Sequence, residues 1–282
     1  MKNLVSFKVW LMEEEKSPLT VEKYLRDVGL FLSWKENRVL NKNTVLAFKE
    51  ILIEKYAIAS VNSMLSSLNC WLSWMGKVEC RVKTLKTQRQ AFCSEERELT
   101  KAEYQRLLKA SRGDNRLCLL LQAICATGIR VSEHRYLTVE ALKQGCATVR
   151  SKGKTRTIFI PQKLCKTLLS YAKNRKILTG PVFVGRSGKP LDRSRIWAMM
   201  KGLCASAGVS EKKVFPHNLR HLFARIFYSM ERDIVRLADI LGHSSINTTR
   251  IYTVETGATH RKQIEKMPLL ASIFQAHTRL NG

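Results

Sequence analysis

The sequence predicts a mainly α-helical (α+β) protein with one small antiparallel β-hairpin. Apolar residues recur at helical spacing almost throughout residues 1–75. The remaining C-terminal part contains several helical patterns but a single pair of β-rich runs, in "CATVRSKGKTRTIFIP" (146–161). Between the two parts the periodicity stops. A chain of 282 residues is long enough for two ordinary domains.

We expect roughly four helices in residues 1–80. The stretch "SPLTVEKYLRDVGLFLSWKEN" (17–37) begins with Ser17 and Thr20, either of which could cap a helix. The stretches 41–56 and 60–76 repeat the same apolar spacing. These residues therefore predict a helical domain.

Residues 81–97 predict an exposed basic linker. The stretch "KVECRVKTLKTQRQAFCSEERE" (77–98) is rich in Lys and Arg and has few regularly spaced apolar residues. Such a linker either lies on a phosphate backbone or is a plain solvated tether. After it, Thr100 and Glu103 have the spacing of a helix capping box. Further helices are expected at 115–127, 162–175, 190–207, 216–229 and 232–241.

The charge indicates a polyanionic partner. Lys and Arg number 49 against 23 Asp and Glu, so the formal net charge is +26. A field of one sign favours nucleic acid. An anionic membrane surface is the weaker alternative, because neither end shows a basic amphipathic helix with a bulky apolar face. The most apolar run, "LCLLLQAICATGI" (117–129), is too short to span a bilayer, so we expect no membrane association.

The cysteines predict reduced thiols. The eight cysteines are scattered, without a C-x-x-C pair, at positions 70, 80, 93, 118, 125, 146, 165 and 204. Disulfides and a zinc site are therefore disfavoured. The first residues, "MKNLVSFKVWLMEEEK", become acidic too early for a secretory signal. We expect a cytoplasmic protein.

A basic protein can cleave a phosphodiester with or without metal ions. The metal route needs clustered carboxylates, and the basic C-terminal half has no D-x-D or D-x-E cluster. The other route needs a protein nucleophile, cations for the phosphate oxygens, an acid for the leaving 5′ oxygen and an acceptor for the nucleophile's proton. We therefore expect no metal ion and no cofactor.

Three stretches offer cations and a proton acceptor. "ATGIRVSE" (126–133) follows a buried helix and presents Arg130 at the start of another. "PHNLRH" (216–221) places His217 and Arg220 three residues apart, on one face of a helix. The tip of the hairpin carries Lys152 and Lys154. Each signal alone has an ordinary explanation, such as a surface arginine or a solvated turn lysine.

A fourth stretch offers the nucleophile. In "LGHSSINTTRIY" (241–252), the residues "LGHSS", which include His243, break one helix, and "NTTRIY", which includes Tyr252, begins another. Asn247, Thr248 or Thr249 could cap this short helix. Tyr252 would then lie on an element able to approach or leave a site. Alone, this stretch would be explained better by a tyrosine packed as an ordinary helix residue.

In this order the four stretches resemble the tyrosine recombinases, that is, the phage-integrase and Xer-like site-specific recombinases. The resemblance extends over nearly the whole chain. It implies a helical core-binding domain (1–80), a basic linker (81–97) and a catalytic domain (98–282) that together form a clamp around DNA. It also implies cleavage and rejoining of DNA strands through a covalent 3′-phosphotyrosine, without metal or ATP.

The resemblance also implies residue roles. Tyr252 would attack the scissile phosphate. Arg130 and Arg220 would clamp its non-bridging oxygens. Lys152 would protonate the leaving 5′ oxygen, with Lys154 left open as an alternative.

The histidines complete the expected site. His217 and His243 would hydrogen-bond the phosphate, and His217 is a candidate acceptor for the tyrosine's proton. His221 fits the family pattern as a supporting residue. The chain departs from the pattern at His134 and Arg135, where the family usually has apolar or small residues.

Two interpretations of His134 stay open: it is accommodated in its helix, or it alters how Arg130 is supported. Glu133 is expected to be a structural partner of the arginine. With its expected catalytic residues all present, the chain is predicted to be an active enzyme.

The expected partner is double-stranded DNA with specific recombination sites, bound by a homotetramer on two sites. The C-terminal segment 268–282 carries an apolar patch and either folds onto its own core or docks on a neighbouring protomer, which we favour. A type IB topoisomerase and a catalytically silent DNA-binding regulator remain alternatives. The target sequence and the biological role (integration, excision, inversion, transposition or dimer resolution) are left open.

Overall fold

The computed structural model describes residues 4–86, 97–151, 154–243, 245–253 and 265–266. The chain divides into two compact units, residues 1–89 and 90–282. Lys152 and the segment 268–282 lie outside the described residues, as does the side chain of Lys154. The architecture is mainly helical with one small antiparallel sheet, which confirms the predicted fold class.

The first unit contains the four helices that the apolar spacing predicts. In the described part they are α1 (Leu4–Glu13), α2 (Pro18–Lys35), α3 (Lys42–Lys55) and α4 (Ile58–Trp74). Of the two possible caps of α2, Ser17 is the one whose side chain accepts a hydrogen bond, from the backbone N–H of Thr20. Aromatic rings fill the core: the ring of Phe31 lies 5.1 Å from that of Phe48 and 6.0 Å from that of Trp71.

The first described residues of the expected linker, 81–86, are hydrogen-bonded to the helical unit although most of their side chains are exposed. Asn69 pairs with the backbone of Val82 through both its amide groups, at 2.8 and 3.0 Å, and Asn62 pairs in the same way with Leu85, at 2.9 and 2.7 Å. Val82 is buried. Residues 81–86 are thus held on the helical unit, because two asparagines of α4 satisfy backbone groups that an exposed linker would leave to water.

The second unit consists of nine further helices and one hairpin within the described residues. The helices are α5 (Lys101–Ala110), α6 (Asn115–Thr127), α7 (Val139–Gln144), α8 (Gln162–Asn174), α9 (Arg193–Lys201), α10 (Cys204–Ala207), α11 (Pro216–Glu231), α12 (Ile234–Leu241) and α13 (Ile246–Thr253). Strands β1 (Cys146–Ser151) and β2 (Lys154–Phe159) pair antiparallel, with Cys146 opposite Phe159.

Helix α6 contributes to the hydrophobic core of the second unit, as its apolar sequence predicts. Leu120 and Ile124 are fully buried. The capping box at the start of α5 is also confirmed: Glu103 N–H donates to Thr100 Oγ1 at 3.1 Å, and Thr100 N–H donates to Glu103 Oε2 at 2.8 Å. Local sequence signals therefore locate both elements correctly.

Two expected helices differ in the structure. The one expected at 190–207 is divided into α9, which follows its cap Asp192, and the short α10, and Gly202, a residue of low helix propensity, lies between them. The residues after Arg130 form a 3₁₀ turn (Val131–Tyr136) instead of an α-helix. The carboxylate of Glu133 bonds the backbone N–H of Arg130 and fixes this turn.

Two further observations bear on the setting of the chain. No helix in the described ranges combines the length and the apolar character needed to cross a membrane. The seven cysteines that the structure describes are free thiols, and Cys93 lies outside the described residues.

Candidate active site

Arg220 is the central side chain of the candidate site. It lies one turn into α11, which Pro216 begins, and is only 1% exposed. Its guanidinium donates to the carbonyl of Gly128 at 2.5 Å and to that of Leu241 at 2.7 Å. These carbonyls belong to the C-terminal ends of α6 and α12, where unpaired carbonyls and the helix dipole stabilise a cation.

Two glycines allow close packing at these helix ends. Gly128 and Gly242 have φ values of +64° and +65°, in the left-handed region. A Cβ at Gly128 would lie 2.4 Å from the ring of Phe223, and one at Gly242 would lie 2.2 Å from the side chain of Arg156. Glycine is therefore required at both positions for its backbone freedom and for its small size.

Arg130 is held by a buried carboxylate. Its Nη1 donates to Glu133 Oε1 at 2.9 Å, while Glu133 Oε2 accepts its backbone N–H at 2.7 Å. Glu133 is buried, whereas 38% of the Arg130 side chain is exposed. Glu133 is thus a structural partner of this arginine, and Arg130 keeps a face open to a ligand.

Arg156 is a site residue that sequence reasoning missed. From β2 its Nη2 reaches Glu133 Oε2 at 2.5 Å, and its Nη1 donates to the carbonyl of Ile240 at 2.7 Å. Burial lowers the pKa of Arg156. Strand alternation was an available signal, because Arg156 shares a strand face with Ile158, which is buried. An arginine on an inward face needs acceptors, so its position predicts an ion pair.

His243 bridges Arg220 and α13. Its Nε2 lies 3.1 Å from Nη2 of Arg220, and its Nδ1 lies 2.9 Å from Oγ1 of Thr249. Burial, reinforced by the positive charges of Arg220 and Arg130, lowers the pKa of His243 to about 4. The imidazole is therefore neutral at pH 7.

Tyr252 is buried in this structure, with 3% of its surface exposed. It clusters with Ala224 of α11 and with Leu237 and Leu241 of α12. Its ring stacks on that of His243 at 5.7 Å, and it interacts electrostatically with Arg220. The expected nucleophile thus lies beside both a buried guanidinium and an imidazole.

Two histidines extend along α11 from the cavity to the tyrosine. The ring of His221 lies 4.9 Å from that of His217 and 4.7 Å from that of Tyr252, perpendicular to the latter. Burial lowers the pKa of His221 to about 4, and desolvation with the nearby charge of Arg220 lowers the pKa of His217. Both rings are therefore in the form that can accept a proton at pH 7.

A cavity of about 330 Å³ opens beside these groups. Its lining includes Arg130, His217 and Arg220, together with Arg193 and Trp197 of α9. Burial lowers the pKa of Arg220 to about 10, which leaves it charged at neutral pH. Planar guanidinium groups around one small cavity suit the oxygens of a phosphate.

The structure thus brings together five of the six expected site residues: Arg130, His217, Arg220, His243 and Tyr252. The sixth, Lys152, lies outside the described residues. The roles of all six stay predictions. Among the described residues, no group of three or more His, Cys, Asp and Glu side chains could hold a metal ion.

The unusual His134 is accommodated in its turn. It is 2% exposed, its Nδ1 lies 2.5 Å from the carbonyl of Val131, and its ring packs near Phe183. A carbonyl only accepts, so Nδ1 carries the proton. Arg135, next in the sequence, donates to the carbonyl of Ser132. Among the described residues, no hydrogen bond joins His134 to Arg130.

The start of α13 differs from expectation. Among the described residues, Ser245 accepts a hydrogen bond there, from the backbone N–H of Asn247 at 3.3 Å. Thr249 lies inside the helix and is fully buried. Its hydroxyl is hydrogen-bonded to Nδ1 of His243.

Comparison with known proteins agrees with this geometry. Residues 97–258 match the model of the phage integrase family. The chain is 31% identical over 284 residues to the tyrosine recombinase XerA of Pyrococcus furiosus, covering 96% of each chain. It is 32% identical over 282 residues to XerA of Thermococcus kodakarensis, covering 95% of this chain and 96% of that one.

Solved structures show the same fold. A crystal structure of XerA recombinase is 25% identical, with a TM-score of 0.53, and covers 95% of this chain and 98% of that one. A lambda integrase dimer bound to a core site is 18% identical, with a TM-score of 0.70. This match covers 88% of this chain and 93% of that one. The resemblance noted in the sequence is confirmed, and the chain belongs to the phage integrase family of tyrosine recombinases.

Proposed function

We propose that this enzyme is a site-specific recombinase that cleaves and rejoins DNA through a covalent bond to Tyr252. One observation supports the proposal above others: Arg220 lines the cavity and also interacts with Tyr252. A phosphate in the cavity would therefore contact the same guanidinium as the tyrosine. Arg130 and His217 line the same space.

The proposed step balances without an external energy source. The Tyr252 oxygen attacks phosphorus, a tyrosyl–phosphate bond forms, and the bond from phosphorus to the 5′ oxygen breaks. The 3′ end stays on the protein, and a 5′ hydroxyl leaves. Attack by the 5′ hydroxyl of another strand reverses the step, so the energy of the first bond is conserved and ATP is not needed.

Arg130 and Arg220 stabilise the charge that develops in this step. The non-bridging oxygens of a five-coordinate phosphorus carry more negative charge than those of the substrate. Guanidinium groups fixed before the reaction stabilise that added charge without reorganising. The carbonyls at the ends of α6 and α12 hold Arg220 in place for this purpose.

Proton transfer needs a base and an acid. The Tyr252 hydroxyl must lose its proton as its oxygen attacks phosphorus, which requires a base nearby. His217 has a lowered pKa, is neutral at pH 7 and is the proposed acceptor. Lys152 is the proposed acid for the leaving 5′ oxygen, as the resemblance implies.

The proposed partner is duplex DNA with specific recombination sites. A net charge of +26 supports strong phosphate contacts that weaken with salt. A related XerH recombinase and lambda integrase have been solved bound to their DNA sites. We propose that the helical domain and the catalytic domain clamp the DNA, and that a homotetramer joins two sites through the segment 268–282. The proposed setting is the cytoplasm.

The proposal is tested with nicked duplexes that trap a covalent intermediate. Duplexes selected for specific binding by the full-length protein are nicked near each possible cleavage position and incubated with excess EDTA. We expect a denaturant-resistant adduct whose digestion yields nucleotides on Tyr252 by mass spectrometry. Tyr252→Phe should bind with similar affinity and give no adduct.

The alternatives give different results. Specific binding without any adduct would support a catalytically silent regulator. An adduct with rapid relaxation of a supercoiled plasmid, but no exchange between two-site substrates, would support a type IB topoisomerase. An adduct on a different amino acid, or cleavage that EDTA abolishes, would overturn the proposed chemistry.

A further inference from the structure

The hydrogen bonds of His243 determine where its proton lies. Arginine has N–H donors and no acceptor, so Nε2 of His243 must accept from Nη2 of Arg220, 3.1 Å away. A neutral imidazole then carries its proton on Nδ1. That N–H donates to Oγ1 of Thr249 at 2.9 Å. The free protein therefore contains the Nδ1–H tautomer.

This tautomer cannot donate a hydrogen bond to a phosphate from Nε2. Phosphate oxygens are acceptors, and Nε2 in the free protein offers a lone pair. A second proton on the ring would also provide a donor, but burial, reinforced by the positive charges of Arg220, Arg130 and Arg156, lowers the pKa of His243 and opposes an imidazolium. The remaining solution is the other neutral tautomer, with the proton on Nε2.

Thr249 is suited to both tautomers. It is 0% exposed and its hydroxyl lies against Nδ1. A hydroxyl accepts from Nδ1–H in one rotamer of its O–H bond and donates to a bare Nδ1 in another. An acceptor-only partner, such as a backbone carbonyl, would hold the Nδ1–H form alone.

We propose that Thr249 is a positioning residue that allows His243 to change tautomer when a phosphate group binds Arg220, whose Nη2 lies against Nε2 of His243. In the free protein Nδ1–H donates to Thr249, and Nε2 accepts from Arg220. In the occupied site Nε2–H donates to a phosphate oxygen, and Thr249 donates to Nδ1. One proton leaves Nδ1 and one arrives at Nε2 by exchange with water, so the charge of the ring does not change.

This inference rests on the proposed function only for its occupied state. The free state follows from the geometry alone. It also assigns Arg220 two successive partners, because the phosphate that takes Nη2 of Arg220 releases Nε2 of His243. Thr249 acts through His243 and is not placed in contact with the DNA.

The test combines a spectroscopic readout with two matched substitutions. The full-length protein is labelled with ¹⁵N-histidine, and His243→Gln identifies the signals of that ring among the six histidines. Imidazole ¹⁵N shifts distinguish the two neutral tautomers. We expect Nδ1–H in the free wild type at pH 7.5 and a shift toward Nε2–H when inorganic phosphate is added. An Nε2–H ring in the free protein, or no change with phosphate, would overturn the proposal.

Thr249→Val keeps the volume of the side chain and removes the hydroxyl, whereas Thr249→Ser keeps the hydroxyl. The valine variant should lose the single free tautomer and form the DNA adduct about five- to tenfold more slowly, as expected for one lost hydrogen bond. The serine variant should retain both properties. A valine variant with wild-type spectra and rates would refute the role of Thr249. If wild type itself forms no adduct, the proposed function fails, while the free-state spectra still test the tautomer.

Discussion

Replacing Gly242 with alanine should destabilise the second unit by about 4 kcal/mol or more. The new Cβ would lie 2.2 Å from Cδ of Arg156 and 2.8 Å from its Nε, so this side chain must move. Arg156 would then lose its bonds to Glu133 and to the carbonyl of Ile240. Hydrogen bonds to charged groups contribute about 1.5–3 kcal/mol each, and the left-handed backbone costs alanine a further 1–2 kcal/mol or so.

Gly145 provides a matched control. It also ends a helix, with φ +74°, but a Cβ there would meet no atom within 4 Å. Gly145→Ala should therefore cost only the backbone contribution, about 1–2 kcal/mol. In an Arg156→Ala background the collision is absent, so Gly242→Ala should cost no more than Gly145→Ala. The double-mutant cycle isolates the part of the effect that passes through Arg156.

Urea unfolding of the full-length variants, followed by far-UV circular dichroism, measures these differences. We expect the unfolding midpoint to fall far more for Gly242→Ala than for Gly145→Ala, and the difference to vanish when Arg156 is already alanine. Equal destabilisation by the two glycine substitutions would show that Arg156 can move away at no cost. The packing argument would then be refuted.

Two further predictions concern protons. Lys152→Ala should slow adduct formation about 10²–10⁴-fold at unchanged DNA affinity, because a general acid is lost. A quenched time course measures the rate, with Lys154→Ala as the control. A larger effect of Lys154→Ala would assign the role of general acid to Lys154. Folding lowers the pKa values of His221 and His243 from 6.5 to about 4. On acidification these two rings are therefore protonated in the unfolded chain at a higher pH than in the folded protein. Stability present above pH 6.5 is then lost as the pH falls toward 4, by up to about 1.4 kcal/mol per pH unit for each ring, and less where solvent screens it. The midpoint of urea unfolding at pH 7.5, 6 and 5 measures this loss of stability. A midpoint that does not change with pH would contradict the prediction, and so would a midpoint that changes with pH as steeply in His221→Gln as in the wild type.

Local signals account for the parts of the fold that the sequence could predict. The capping box of Thr100 and Glu103 lies within one turn of chain, so its residue types specify it directly. The buried face of α6 follows from its apolar composition. The hairpin follows from two β-rich runs around a Lys-Gly-Lys turn. In each case the interacting residues are neighbours in sequence.

Contacts between distant residues account for the parts that could not be predicted. Asn62 and Asn69 look like ordinary polar positions of α4. Yet Asn62 is hydrogen-bonded to backbone 23 residues further on, and Asn69 to backbone 13 residues further on. Arg156 finds its acceptor Ile240 only after α12 has packed beside β2, 84 residues further on. No periodicity within either segment contains this information. The participants of the site were therefore predictable from motifs, while most of its supporting bonds were not.

The distribution of acceptors around the arginines explains how the site keeps its charge. Arg220 bonds to neutral groups in the described structure: two main-chain carbonyls and the imidazole of His243. The one described carboxylate that pairs with the arginines of the site, Glu133, is shared by Arg130 and Arg156. With Arg193, which also lines the cavity, four arginines and one carboxylate leave a charge of 4 − 1 = +3 among these residues.

A phosphodiester with one negative charge approaches two as the tyrosine adds to it, so an excess of positive charge in the site stabilises the transition state more than the substrate. A carboxylate paired with Arg220 would hold that side chain as firmly but would cancel the charge where phosphorus reacts. Carbonyl dipoles hold the guanidinium without cancelling it. This requirement explains why two helices end at left-handed glycines on either side of Arg220.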